Sequence, residues 1–296
     1  MSETQATTQD PQDHWIETAT GRLFARSWEP GVLRDESRDP TLDLQRDLQP
    51  DAANETHVRR APIVLLHDSL GCVTLWGAFP QTLARATNRR VIAYDRAGFG
   101  ASDARTDRLA PGFVRDEAQR FFPALCEQMG IDRFVAFGHS VGGGMAIECA
   151  ALHAQRCVAL VTEAAQTFAE DRTLAGIRTA REQFRDPAQF ARLARYHGEK
   201  TQWVLDAWIE TWLSPEFADW SLETVLPQVQ CATLAIHGSL DEYGTRVHPE
   251  TIAARVSGPA RLAIMEGVRH VPHREQEAQV AAIVAEFLRG VEGGVA

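Results

Sequence analysis

The strongest constraint on this chain is an alternation that begins near Ala61. Short apolar runs at 63–67, 91–95, 134–138, 158–162, 233–237 and 261–265 are separated by longer stretches with helical spacing. Unbroken runs of that length suit strands buried on both faces, as in a parallel sheet. The stretches between them, at 74–86, 114–129, 143–153, 250–256 and 276–288, supply crossover helices. In 114–129, Phe121, Phe122, Leu125 and Met129 fall on one helix face, with Arg115, Asp116, Glu117 and Gln128 elsewhere. A further strand signal lies at 21–28. The pattern predicts an α/β fold, a mostly parallel sheet with helices on both faces.

Two stretches break the rhythm. Residues 31–60 mix acidic, basic and proline residues with few large apolar ones, and read as a long solvated insertion. Residues 164–226 are helical and aromatic with no strand signal, and read as an inserted helical cap. Trp208 and Trp212 share a helix face there, four residues apart. The expected organisation is a polar segment 1–20, a first core part 21–163 carrying the insertion, the cap 164–226, and a second core part 227–290. A chain of 296 residues suits one large domain with such an addition.

Composition narrows the classes of function. Thirty basic against forty acidic residues, a net charge of −10, argue against a nucleic-acid surface or an anionic-membrane patch. No run approaches the roughly 18 apolar residues of a membrane helix. The five cysteines form no CxxC pair, and no HExxH spacing occurs, so neither a metal nor a dithiol is expected. The first residues lack the basic and apolar parts of a signal peptide, and a reducing cytoplasm is the expected home.

The chemistry is carried by Gly138-His139-Ser140-Val141-Gly142, which follows a strand signal and opens a helix. This is G-x-S-x-G in the strand–turn–helix setting that gives the pattern meaning. A nucleophile at the tip of a tight turn needs strained backbone angles, so the residues two positions either side must lack bulk. The helix that follows aims N–H groups at the same point. Serine also needs a base, and in this arrangement an acid and then a histidine come from later strand ends. Gly238-Ser239-Leu240-Asp241-Glu242 and Glu266-Gly267-Val268-Arg269-His270 stand at those two places. The G-x-G within 95–102 lacks the third glycine and helix start of a dinucleotide site, and reads as a structural turn.

With these residues the chain resembles the α/β-hydrolase fold, specifically its serine hydrolases with a helical cap, from about Gly21 to Leu288. The resemblance implies Ser140 as nucleophile, Asp241 as acid and His270 as general base. His67-Asp68-Ser69-Leu70-Gly71 matches the family's oxyanion loop, implying the N–H groups of Ser69 and Val141 as oxyanion donors. Asp68 stands where the family has glycine, so it is expected to point away from the reacting oxygen or to meet a cation. Arg269 likewise replaces a glycine. Glu242 beside Asp241, and His273 three residues after His270, compete for the same roles, whereas His67 and His139 flank the site. Trp76, His139, Trp208 and Trp212 are the candidates for lining a substrate pocket.

The implied activity is cofactor-free hydrolysis of an ester or thioester of a small to medium apolar acid. The same triad also serves C–C bond hydrolysis, perhydrolysis, acyl transfer, or a low-turnover ligand-binding receptor. A small-molecule substrate, no nucleic acid, no integral membrane association, and a monomer or homodimer complete the expectation.

Overall fold

A computed structural model of the protein describes residues 10–31 and 60–294. Most of the 31–60 insertion lies outside the described residues. Eight strands form one sheet: β1 Gln12–Thr18, β2 Gly21–Trp28, β3 Ile63–Leu66, β4 Val91–Tyr94, β5 Phe134–His139, β6 Cys157–Glu163, β7 Ala232–Gly238 and β8 Ala260–Met265. Their order is β1-β2-β4-β3-β5-β6-β7-β8. The β1–β2 and β2–β4 pairs are antiparallel, and every other pair is parallel.

Successive residues of β3 point to opposite faces, and both faces are buried. Val64 and Leu66 join Ile92, Tyr94 and Ala136 in one core cluster. Ile63 and Leu65 join Val91, Ala93, Val135 and Phe137 in the other. The second face is covered by α1 Phe79–Thr87 and by α10 Glu277–Glu292, through Phe79, Leu83, Val280 and Val284. The first is covered by α2 Phe113–Asp116, α3 Phe122–Gln128 and α4 Val141–Leu152. Each such apolar side chain contributes about 1.5–3 kcal/mol by leaving water, which is why the strands can be apolar throughout.

Between β6 and β7 the chain makes a helical excursion: α5 Asp171–Gln183, α6 Pro187–His197 and α7 Thr201–Trp212. Helix α8 Val247–Arg255 lies between β7 and β8, and α9 Pro272–Glu275 precedes α10. The excursion is tied to the turn after β4. Lys200 Nζ donates to the carbonyls of Phe99, Gly100 and Ser102, and His197 Nδ1 accepts from Gly100 N at 2.9 Å. That turn is structural, as its sequence implies: Asp95 accepts from Val73 N and Ala101 N, and Ser102 Oγ donates to the Asp95 carbonyl.

Two elements differ from the sequence expectation. Strand β1 begins at Gln12, inside the segment 1–20 read only as polar. Only Ile16 of its residues is buried, so it has no apolar run to reveal it. The helix expected over 74–86 is interrupted: a single turn at Val73–Trp76 ends at Gly77, whose φ of 61° breaks the helix before α1 starts.

Candidate active site

Ser140 sits between the end of β5 and the start of α4 with φ 56° and ψ −126°, a conformation strained for any residue but glycine. The fold holds it there. Ser140 N donates to Glu163 O at 2.9 Å, and Gly143 N donates to Ser140 O at 2.8 Å. The flanking glycines are there for space. A Cβ on Gly138 would lie 2.0 Å from Gly142 O, and one on Gly142 would lie 2.2 Å from Leu66 O. Residues 141–150 are all buried, so the helix that aims its first N–H groups at the turn is itself clamped.

His270 comes from the loop after β8 and Asp241 from the loop after β7. His270 Nε2 stands 3.1 Å from Ser140 Oγ, and His270 Nδ1 stands 2.9 Å from both carboxylate oxygens of Asp241. Asp241 Oδ1 also accepts from Tyr243 N at 2.8 Å and Gly244 N at 3.0 Å. Burial alone would raise the Asp241 carboxyl. His270 and these N–H donors outweigh it and hold the group below its ordinary value. Glu242 takes another place: its Oε2 accepts from His270 N at 3.2 Å rather than meeting the imidazole. His273 meets Glu163 instead, through Nδ1 at 2.6 Å, on the far side of the elbow.

The loop carrying Ser69 is braced from below. Arg96 Nη2 donates to Asp68 O at 2.9 Å, and His67 Nε2 accepts from Arg96 N at 3.1 Å. Asp68 turns its carboxylate to Leu70 N at 2.8 Å and to the His139 ring, whose Nδ1 lies 3.3 Å from Oδ2, off the line of a hydrogen bond. Of the two dispositions expected for Asp68, turned away or facing a cation, its carboxylate is turned to the His139 ring. Burial pushes His139 down, but Asp68 and Glu163 outweigh it and raise its affinity for a proton. Burial would raise Asp68, yet the His139 imidazole holds it well below the usual carboxylate range. The N–H groups of Ser69 and Val141 make no hydrogen bond among the described residues.

A cavity of about 300 Å³ opens over Ser140 and His270. Of the four pocket candidates His139, Trp208 and Trp212 line it, together with Ser69, Leu70, Leu193 and Tyr243. Trp76 does not. It is 3% exposed and packs against Phe79, Phe137 and His273 beneath the elbow, because the turn at Val73–Trp76 directs it into the sheet's second core. Three lining residues of α6, namely Gln189, Arg192 and Tyr196, recur at helical spacing and could have been found by that periodicity. Gln166 could not. It follows β6 in an unremarked Ala-Ala-Gln, yet Ser140 Oγ donates to its Oε1 at 3.2 Å.

Ligand atoms of His139, Glu163 and His273 lie within 4.8 Å of one another, a grouping no sequence spacing announces. Glu163 and His273 are spent on each other, and His139 Nε2 on the His270 carbonyl at 2.8 Å. The cluster serves as a hydrogen-bonded floor to the elbow. Among the described residues, no helix is long and apolar enough to cross a membrane.

Comparison with known proteins agrees with this fold. The sequence profile described as the Alpha/beta hydrolase family matches residues 63–283. A putative non-heme haloperoxidase of Mycobacterium phage D29 is 35% identical over 103 residues, 34% of this chain and 34% of that protein. The match therefore spans about a third of that relative's length. The proline iminopeptidase of Mycobacterium smegmatis superposes with a TM-score of 0.66 at 21% identity, over 96% of this chain and 100% of that one. A thermophilic esterase from Thermogutta terrifontis gives 0.64 at 20% identity, over 95% and 99%. Three differently named activities on one architecture leave the substrate to the site itself. The profile covers most of the sheet, the elbow and the histidine loop, and by that measure the chain belongs to the alpha/beta hydrolase family.

Proposed function

We propose that the protein is a serine hydrolase that cleaves a carboxylic ester or thioester of a small to medium apolar acid through an acyl-enzyme. The observation that carries this reading is the continuous relay Asp241–His270–Ser140 on the floor of a largely apolar cavity.

In this mechanism Ser140 Oγ attacks the substrate carbonyl as His270 Nε2 takes its proton. Asp241 fixes the tautomer that leaves Nε2 free and stabilises the imidazolium that forms. The carbonyl oxygen becomes an oxyanion facing the N–H groups of Ser69 and Val141, each worth about 2.7–4 kcal/mol by comparison with measured donors. His270 then protonates the leaving alcohol or thiol. Water, activated by the same imidazole, releases the acid. The excursion between β6 and β7 acts as the cap of this site, because α5 to α7 supply Thr173, Gln189, Leu193, Trp208 and Trp212 to the cavity wall. The bound acyl group lies against those aromatic rings, and the size of the cavity favours short chains.

The test is labelling followed by a substrate series. A fluorophosphonate probe is expected to label Ser140 stoichiometrically, and Ser140→Ala to abolish both labelling and turnover, by on the order of 10⁶ in kcat. Activity on p-nitrophenyl esters is expected to peak at short to medium chains. A wild-type chain that resists the probe and turns over no ester is a binding protein, and the reading fails.

A further inference from the structure

Ser140 has two acceptors for its one proton. His270 Nε2 is 3.1 Å from Oγ, and Gln166 Oε1 is 3.2 Å from it. Only the first takes part in the mechanism above. Gln166 is nevertheless built into place. It is 2% exposed and lines the cavity floor. The backbone delivers it through Ala164, which has φ 49° and, with Asn88 and Ser140, is one of three non-glycine residues of positive φ among those described. Ala164 N donates to Ile236 O at 2.9 Å. Ala165 packs against Gly143, where an added Cβ would come within 2.4 Å of it. On the other side Thr167 N donates to His248 Nδ1 at 3.2 Å, and His248 Nε2 meets Glu170 at 3.1 Å. A strained residue followed by anchors on two sides directs this carboxamide at the nucleophile.

We propose that Gln166 is the positioning residue of deacylation, holding the attacking water by the hydrogen bond it gives up when Ser140 is acylated. The inference rests on the serine hydrolase reading. In the acyl-enzyme Oγ is an ester oxygen without a proton, so Gln166 Oε1 loses its donor while still buried, and such an acceptor draws a new one. Water has two O–H bonds. One points to His270 Nε2, which takes that proton as the water oxygen bonds to the acyl carbon. The other is donated to Gln166 Oε1, which fixes the direction of attack. The tetrahedral intermediate then breaks its bond to Ser140 Oγ, and His270 returns the proton to that oxygen. The acid leaves with the water's oxygen and its remaining hydrogen, and the Ser140 hydroxyl is again free to donate to Gln166.

Methanol separates this role from a structural one, because it has a single O–H. It can serve His270 or Gln166 but not both. Acyl-enzyme formed from a p-nitrophenyl ester in water–methanol mixtures partitions between free acid and methyl ester, and that ratio is independent of how much enzyme is folded. Gln166→Met is expected to keep the nitrophenol burst and to shift the ratio toward methyl ester by roughly tenfold, the worth of one neutral hydrogen bond. Gln166→Glu keeps an acceptor at the same reach and is expected to restore the wild-type ratio. Should Gln166→Met not fold, Gln166→Asn, which withdraws the acceptor by one methylene, carries the same expectation. Nitrophenol release with an unchanged ratio in Gln166→Met or Gln166→Asn overturns the role of Gln166 alone. A wild-type chain that resists the fluorophosphonate and releases no nitrophenol overturns the hydrolase reading, and this inference with it.

Discussion

His270 and His273 stand three residues apart, and each presents Nδ1 to a buried carboxylate, yet they do opposite things. His270 meets Asp241 and turns its other nitrogen to Ser140 and the cavity. His273 meets Glu163 and is enclosed by the rings of Trp76, Phe79 and His139. Exposure differs little, 9% against 3%. What differs is the neighbour of the far side of each ring. An imidazole held by a carboxylate is a proton acceptor only where its second nitrogen faces something that gives up a proton. Where it faces packed aromatics, the same pair is a brace.

Three experiments test that contrast. The largest effect is expected at the two histidines. His270→Ala is expected to cost on the order of 10⁶ in kcat with the fold intact. His273→Ala is expected to leave the folded fraction reactive to a fluorophosphonate while removing about 3–5 kcal/mol of stability, because Glu163 is then buried without its partner. Equal loss of labelling in both variants would erase the distinction. Next come the tryptophans on either side of the elbow. Trp76→Ala is expected to cost about 3–5 kcal/mol in denaturant unfolding with KM for the shortest ester unchanged. Trp208→Ala is expected to move the preferred acyl length upward instead. If Trp76→Ala shifts KM, the tryptophan reaches the substrate after all.

The smallest effect is on pH. Burial lowers His273 below its ordinary 6.5 in spite of Glu163, and lowers His67, His237 and His248 as well. A histidine that binds protons more weakly when folded favours unfolding as protons are added. Its contribution is complete above the unfolded pKa of 6.5 and is lost as pH falls through the folded one. His139 is raised, and burial raises Asp95 to about 6, so these two oppose the trend. The urea midpoint is expected to fall between roughly pH 7.5 and 5.5, and His273→Gln to flatten that slope. An identical slope in the variant would mean that the brace does not titrate with folding.

The parts of this molecule legible in the sequence are those that local chemistry dictates. The parallel strands announce themselves because both faces are buried, and Ser140 because its turn cannot form without glycine on either side. Strand ends place the segments that carry Asp241 and His270, while their choice over Glu242 and His273 comes from the family resemblance. Strand β1 is hidden because a half-exposed edge needs no apolar run: Trp15 is 47% exposed there. Trp76 misleads because a glycine of positive φ, not a hydrophobic period, decides which way it turns. Gln166 and the Glu163–His273 brace depend on contacts between residues 26 and 110 positions apart, which no local pattern carries.

Helix α6 buries only Leu193 and His197, while Gln189, Arg192 and Tyr196 look into the cavity. The wall that meets the substrate is therefore separable from the groups that hold the molecule together. Replacements at those three positions alter what is accepted and leave the sheet, the elbow and the relay as they were. On the proposed reading, a lineage carrying this architecture can change the acyl group it accepts through α6 while the chemistry of the relay is inherited whole.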